Sequence, residues 1–371
     1  MPVNFPNTID RHLGREWLKS FSLTTGAILG LFYIQNLYDK LGDFINHGAG
    51  VTQIAHYYIL LTPSLLSPVL PLSVLVATLL SFGTLHRNQE IAAMRSMGCS
   101  IWSLIRLNLF FCILLSVGLF FQGNGALSQS IEKSRELHES LTQKQQDPSA
   151  KNNFFVRHLT FENTSAQRLW VMNRYNPMTQ MGYGVYLYFR DEQGHCRERF
   201  TARTAEFIPE SGTWVFREGR YVVFDEAGFP LRFEDFPEKE MRDIDPPRTL
   251  LARQKKMENL SFLELQELVM VNRAGEDKEA RRYMVRYHQA ISGPFNCVLA
   301  LLLGVPFAIA GTRVNAMVAS TKAIGIFVGY FFLVGIFRMF GEQGFLSPVF
   351  AGWLPMGLMT FYALILIMRL R

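Results

Sequence analysis

His56–Leu85 reads HYYILLTPSLLSPVLPLSVLVATLLSFGTL and contains no Asp, Glu, Lys or Arg. A bilayer core about 30 Å thick is crossed by about 20 such residues in a helix, because charge and unpaired backbone are both costly in hydrocarbon. Working outward, Ser20–Tyr38 and Leu107–Phe121 are similar stretches on either side of it. Three more come late, at Gln289–Ala310, Ala323–Phe337 and Leu346–Met368, the middle one bracketed closely by Lys322 and Arg338. The pattern predicts six spans, three before and three after a polar middle. Pro63, Pro68 and Pro71 predict a bent or re-entrant entry to the second span, tolerated where neighbouring helices satisfy the freed carbonyls. The first stretch lacks a small-x-small cleavage site and runs on into Asp39, Lys40 and Asp43, so it reads as a retained span and not as a secretory signal.

Composition agrees. Of 371 residues 49% are hydrophobic and only 18% charged, with 37 Lys+Arg against 31 Asp+Glu and a net charge of +6. Soluble domains carry about 25% charged residues, so the deficit points away from an ordinary cytosolic enzyme and toward a membrane protein, and disordered and collagen-like chains are excluded. A mean hydropathy of only +0.10 requires a sizeable water-facing part. Cys99, Cys112, Cys196 and Cys297 form no C-x-x-C, and no histidines cluster at metal-ligand spacing, so neither a zinc site nor a disulfide framework is indicated.

Orientation follows from basic residues beside the spans. Arg11, Arg15 and Lys19 precede the first; Arg87, Arg95 and Arg106 lie between the second and third; Arg313 and Lys322 lie between the fourth and fifth; Arg369 and Arg371 end the chain. All four groups fall on one side if both termini are cytoplasmic, which puts residues 125–287 outside the cytoplasmic membrane. Arg281, Arg282, Arg286 and His288, before the fourth span, break the rule.

Between Asn152 and Phe236 the long apolar runs give way to short ones such as Leu169-Trp170-Val171-Met172, Trp214-Val215-Phe216 and Tyr221-Val222-Val223-Phe224. Turn residues separate them, as in Asp191-Glu192-Gln193-Gly194 and Asp225-Glu226-Ala227-Gly228. This predicts antiparallel strands in a sandwich, jelly roll or barrel. Ser261 with Glu264 three residues on predicts a capping box opening a connector helix.

Three segments, in order and in place against the spans, carry a resemblance: Ile9-Asp10-Arg11-His12-Leu13-Gly14-Arg15, Asn88-Gln89-Glu90-Ile91-Ala92-Ala93-Met94-Arg95-Ser96-Met97-Gly98, and Ala274-Gly275-Glu276-Asp277 through Arg282-Tyr283. Along nearly its whole length the chain resembles the LptF/LptG family of lipopolysaccharide-export permeases, with the opening Asp-Arg and the Glu90 segment closer to the LptG branch. The resemblance implies an α-helical membrane protein of six transmembrane helices with an inserted periplasmic antiparallel β-jellyroll domain. The expected divisions are 1–124 for the first three spans with a cytoplasmic coupling helix at about 87–98, 125–259 for the β-jellyroll, 260–287 for a periplasmic connector helix and 288–371 for the last three spans. It also implies a location in the bacterial inner membrane and four partners: an LptB-type ATPase dimer, a second LptF/LptG-family permease, an LptC-type bitopic periplasmic protein, and lipopolysaccharide taken from the outer leaflet. No cofactor, metal or nucleic acid is expected. In the family the short helix between the second and third spans docks on the ATPase, which places Glu90 and Arg95 at that contact. The chain itself has no G-x-x-x-x-G-K-[ST] phosphate loop, so the energy has to come from another subunit.

Each residue has a plainer reading beside the functional one. Glu90 also suits a helix N-terminus, and Arg95 serves topology. Lys40, where the family meets lipid A phosphates, is also an interfacial anchor, here flanked by Asp39 and Asp43. Arg281, Arg282 and Arg286 offer forks that match phosphate bidentately, or pair with Glu276, Asp277 and Glu279. Arg338 snorkels, faces the substrate path or pairs with Glu342. Trp214 and Phe216 are inward positions of the β-domain where cargo is expected. The competing class is a membrane-anchored envelope enzyme with an external β-domain, but His138, His158 and His195 show no triad or metal spacing.

Overall fold

The computed structural model describes residues 8–46, 50–123, 155–191, 193–225, 227–242, 244–252, 260–271, 278–309 and 316–369. The Ala274–Asp277 segment, Arg313 and Arg371 lie outside them, as does His138. The chain divides into two compact units, 1–142 with 284–371, and 143–283.

The first unit is helical. It begins with α1 (Thr8–Asn46), α2 (Val51–Arg87), the short α3 (Glu90–Ser96) and α4 (Ile101–Phe121). At 1.5 Å per residue α1 and α2 are each over about 50 Å long, well beyond the apolar layer they need to cross. Despite three prolines α2 is one continuous helix, so the re-entrant entry does not occur. Side chains also bond its backbone nearby: Thr62 Oγ1 donates to the Tyr58 carbonyl at 2.8 Å, Ser64 Oγ to that of Leu61 at 2.7 Å, and the Gln122 amide to that of Pro63. The turn from α2 to α3 is made by Gln89 at φ 63°, a left-handed conformation that costs a side-chain-bearing residue about 1–2 kcal/mol. Gly98, at φ 86°, ends the excursion, and Ser100 Oγ caps α4 by accepting from the Ser103 N–H at 3.2 Å.

The second unit holds six strands: β1 (Val156–Asn163), β2 (Arg168–Asn176), β3 (Met181–Arg190), β4 (Cys196–Ile208), β5 (Thr213–Phe224) and β6 (Pro230–Arg242). They form the antiparallel domain expected from the alternation, and they pair in chain order, each with the next. Two hairpins are closed by the same chemistry: Asp191 accepts from the His195 N–H at 2.8 Å, and Asp225 from the Phe229 N–H at 2.7 Å. Strands β2 and β5 are three strand spacings apart, about 14 Å along a flat sheet. Yet the rings of Trp170 and Trp214 are 5.2 Å apart and those of Trp170 and Phe216 are 5.9 Å apart. The sheet therefore curls over its own face. Within β5 Glu218 takes φ 50° and Gly219 follows at a close approach, where a Cβ would meet the Phe236 ring and the Thr201 carbonyl. Asp245 closes the curl, with its carboxylate accepting from Asn163 and, at 3.0 Å, from Trp170 Nε1, while its carbonyl accepts from Trp214 Nε1 at 2.9 Å.

Beyond the sheet come α5 (Pro247–Ala252) and α6 (Phe262–Val271). The capping box at the head of α6 is present as its spacing predicts: Glu264 accepts from the Ser261 N–H at 2.8 Å and returns its own N–H to Ser261 Oγ at 3.2 Å. Next is α7 (Lys278–Ser292), which carries the chain from the second unit back into the first and passes through one 3-10 turn (Gly293–Phe295) into α8 (Asn296–Ile309). The chain then runs through α9 (Ala316–Gln343) and α10 (Pro348–Arg369). Among the described residues six helical stretches are long and apolar enough to cross a membrane, as the sequence predicts: Thr8–Gly42, Val51–Arg87, Ile101–Phe121, Glu279–Ile309, Val318–Gln343 and Pro348–Arg369. Lys322 and Arg338 lie within α9, and Arg338 Nε meets Glu342 Oε1 at 2.8 Å, one turn on.

The core of the helical unit is built on α2 and α8, with Val74, Leu75, Phe82, Leu301, Leu303 and Val305 sealed inside. Gly304 allows the close approach: a Cβ there would lie 3.0 Å from Thr78 Cγ2. From α1, Trp17 enters the same core, stacked on Phe21 at 5.1 Å and donating its indole N–H to Thr78 Oγ1 at 3.1 Å.

Candidate functional site

The short helix α3 is apolar on one side only. Ile91 and Met94 are buried beneath it, whereas Ala93 and Arg95 face out and the Met97 side chain just beyond is exposed. Glu90 opens the helix, where a carboxylate is favoured by the N-terminal end of the peptide dipoles. Arg95 sits in the last turn, the matching place for a cation.

Beside α3 runs the start of α1, and the two enclose an open groove lined by Thr8, Ile9, His12, Glu90, Ala93 and Met94. His12 Nε2 lies 3.0 Å from Glu90 Oε2, while the Asn88 amide is 3.4 Å from Glu90 Oε1. Two residues earlier, Asp10 is gripped by the Arg106 fork of α4, Nε to Oδ1 at 3.0 Å and Nη2 to Oδ2 at 2.5 Å. Asp10 is 3% exposed, and a bidentate guanidinium is the geometry that answers the charge of a carboxylate so enclosed. The beginnings of α1, α3 and α4 are thus tied by a hydrogen bond and a bidentate ion pair at one end of the helical unit. Among the described residues no group of His, Cys, Asp and Glu is arranged to hold a metal ion.

The family model of the lipopolysaccharide export system permease LptF/LptG matches residues 11–369. The chain belongs to this family. It is therefore a multi-pass inner-membrane permease, a component of a transporter and not an enzyme. A search of curated proteins found no match.

The remaining residues singled out in this permease from sequence are scattered. Lys40 of α1 donates to the Tyr57 hydroxyl of α2 at 2.6 Å and lies 4.7 Å from the centre of the same ring. Arg281, Arg282 and Arg286 all lie on α7 and are half-buried, with Arg282 and Arg286 one turn apart on one face. Of their proposed acidic neighbours Glu279 is exposed, and Glu276 and Asp277 are outside the described residues. Trp214 and Phe216 are both 0% exposed and are surrounded by the rings of their own domain, so inward alternation here means a filled core.

From sequence, Glu90 and Arg95 are expected at the docking contact, whereas Asp10 and His12 enter only through the segment that carries the resemblance and Arg106 only through orientation; no pairing among them is expected. Their partners are 96 and 78 residues away along the chain, a separation no helical or strand period connects.

Proposed function

We propose that this chain is the LptG-type permease subunit of an ATP-driven exporter that extracts lipopolysaccharide from the outer leaflet of the inner membrane. In this reading an LptB-type ATPase dimer docks on α3 from the cytoplasm, a second LptF/LptG-family permease completes the path, and the periplasmic β-domain passes the cargo to an LptC-type protein and the bridge beyond. The observation that carries it is α3 itself: a seven-residue helix with a buried apolar face and an outward Arg95, its Glu90 meeting His12 of α1 at the edge of an open groove. Such an element suits reception of force from a separate subunit, and the chain has no phosphate loop of its own. The basic residues at that end, Arg11, Arg15 and Lys19 of α1 with Arg87, Arg95 and Arg106, support a cytoplasmic position.

The arginines of α7 and Lys40 are the proposed contacts for lipid A phosphates, with Arg forks giving the stronger, bidentate grip. Trp214 and Phe216 take part only where the curled sheet opens, since their faces are occupied by protein rings. The test is co-purification and ATP hydrolysis with the ATPase and the second permease. The pure chain is expected to hydrolyse nothing, and Glu90→Lys to reduce recovery of the ATPase about tenfold or more, because a cation replaces the anion at a docking face. Full assembly and transport by Glu90→Lys overturns the docking assignment.

A further inference from the structure

We infer that His12 is a positioning residue for the drive, holding the Glu90 carboxylate and tying α3 to α1 so that a push on α3 moves the first span. The inference deepens the reading proposed above and rests on it.

Three observations carry it. First, α3 is too short and too sharply offset to pass force along a helix axis. It is set apart by the left-handed Gln89 on one side and by Gly98 on the other, so whatever is done to α3 must travel through side chains. Beneath it the contacts made by Ile91 and Met94 are apolar, and Glu90 with His12 at 3.0 Å is a directional contact to α1. Secondly, His12 occupies Oε2, while Oε1 has only the Asn88 amide, at a long 3.4 Å. A carboxylate offers about four lone-pair sites, so Glu90 can keep His12 and still accept a cation from a partner. Thirdly, the two polar contacts of the α1 start differ in kind. Asp10–Arg106 is a two-bond clamp on a buried carboxylate, whereas His12 and Glu90 side chains are 54% and 37% exposed. The clamp sets a fulcrum at α4, and the accessible pair two residues on takes the load. Beyond that point α1 is exposed on one side, at Leu23, Leu31, Ile34 and Tyr38, and packed against α2 on the other through Trp17, Thr24 and Phe44, so displacement at its start carries that packed side with it.

The experiment needs a readout that a merely structural role leaves still. In the assembled complex of chain, ATPase and second permease in nanodiscs, lipopolysaccharide released per ATP hydrolysed is measured for the parent, His12→Ala and His12→Gln. His12→Ala is expected to assemble normally and to lower that ratio about three- to tenfold, the loss of one hydrogen bond to a charged group. His12→Gln keeps a donor and is expected to restore it to within about twofold. On a Glu90→Gln background His12→Ala is expected to add little, because the contact it removes is already weakened. In the chain alone, His12→Ala is expected to speed amide exchange in α3 by about three- to tenfold without changing α4. A parent-like ratio in His12→Ala, a Gln variant as poor as Ala, or α3 exchange unchanged overturns the inference. Failure of the unmodified chain to recruit the ATPase overturns the proposed function instead, and the exchange measurement on the chain alone still decides whether His12 holds α3.

Discussion

The two units of this permease obey opposite rules. In the β-domain the rings of Trp170, Trp214 and Phe216 are sealed inside, and the outward side of the sheet is laced with ion pairs such as Arg203–Glu218 and Arg220–Asp235. In the helical unit Leu23, Ile34, Phe332 and Phe361 are exposed, while Ser73, Thr78 and Asn108 are buried. Water penalises an exposed ring; lipid does not, because acyl chains are as apolar as leucine, and close packing there rests on small residues and internal hydrogen bonds. Exposure of an apolar side chain therefore signals little in one unit and would signal a binding surface in the other.

The sharpest test of that contrast exchanges a large ring for a methyl group in each unit. Trp214→Ala is expected to cost about 3–5 kcal/mol, from lost burial and the cavity left behind. Phe332→Ala, at a position 72% exposed on α9, is expected to leave the stability of the chain in detergent within about 0.5 kcal/mol of the parent. Protease nicking of the β-domain and thermal unfolding of the whole chain measure the two. A large effect at Phe332 would mean that this face of α9 is covered within the chain itself.

A smaller effect separates packed from open faces inside the helical unit. A Cβ at Gly352 of α10 would lie 2.5 Å from His288 Cβ and 3.1 Å from the His288 backbone carbon of α7, whereas one at Gly329 of α9 meets nothing within 4 Å. Gly352→Leu is expected to destabilise the chain by about 1–3 kcal/mol, as overpacking does. Gly329→Leu is expected to be neutral or slightly stabilising in the chain alone, since leucine is the better helix former. Thermal melts in one detergent compare them directly, and equal losses would erase the distinction between inner and outer helix faces.

The smallest effect concerns the wet face of the sheet. The hydrogen-bonding guanidinium of Arg220, 2.6 Å from the Asp235 carboxylate, holds that carboxyl below its ordinary value. A lowered folded-state value means that the pair supports the fold above the ordinary carboxylate range near about 4, and that this support is lost as pH falls through the lowered value. Asp235→Asn is expected to raise amide exchange along β6 modestly at neutral pH, with the difference from the parent closing as the pH drops below that range. A difference that persists in acid would assign the contribution to packing instead of charge.

Much of this was legible before any coordinates. Ser20–Tyr38, His56–Leu85, Leu107–Phe121 and Ala323–Phe337 each sit within one longer helix, while Leu346–Met368 begins just ahead of α10 and Gln289–Ala310 crosses the 3-10 turn between α7 and α8; hydrocarbon admits only long uncharged segments and so marks them in one dimension. The capping box at Ser261 and the Asp-Glu-x-Gly hairpins were legible for a related reason: their partners are three or four residues apart, within reach of local geometry. Of the bent or re-entrant entry expected of α2 the re-entrant form does not occur, because each proline removes a single N–H and a long membrane helix carries that loss. At Trp214 and Phe216 the alternation told which way the side chains point but not that Trp170, three strands away, fills the space they point into.

By itself, then, the sequence determined the six spans, the strand-rich insert, its turns and caps, and the chemistry of α3, since each depends on residues near one another or on the bare solvent preference of a segment. Tertiary structure alone decided which face of each span is packed, that Asp10 is clamped by Arg106, and that His12 holds Glu90. In a bilayer every apolar face is acceptable to the solvent, so hydrophobicity does not choose among them; the choice falls to close approaches such as Gly304 on Thr78 and to polar pairs formed across many tens of residues, and those exist only once the helices have met.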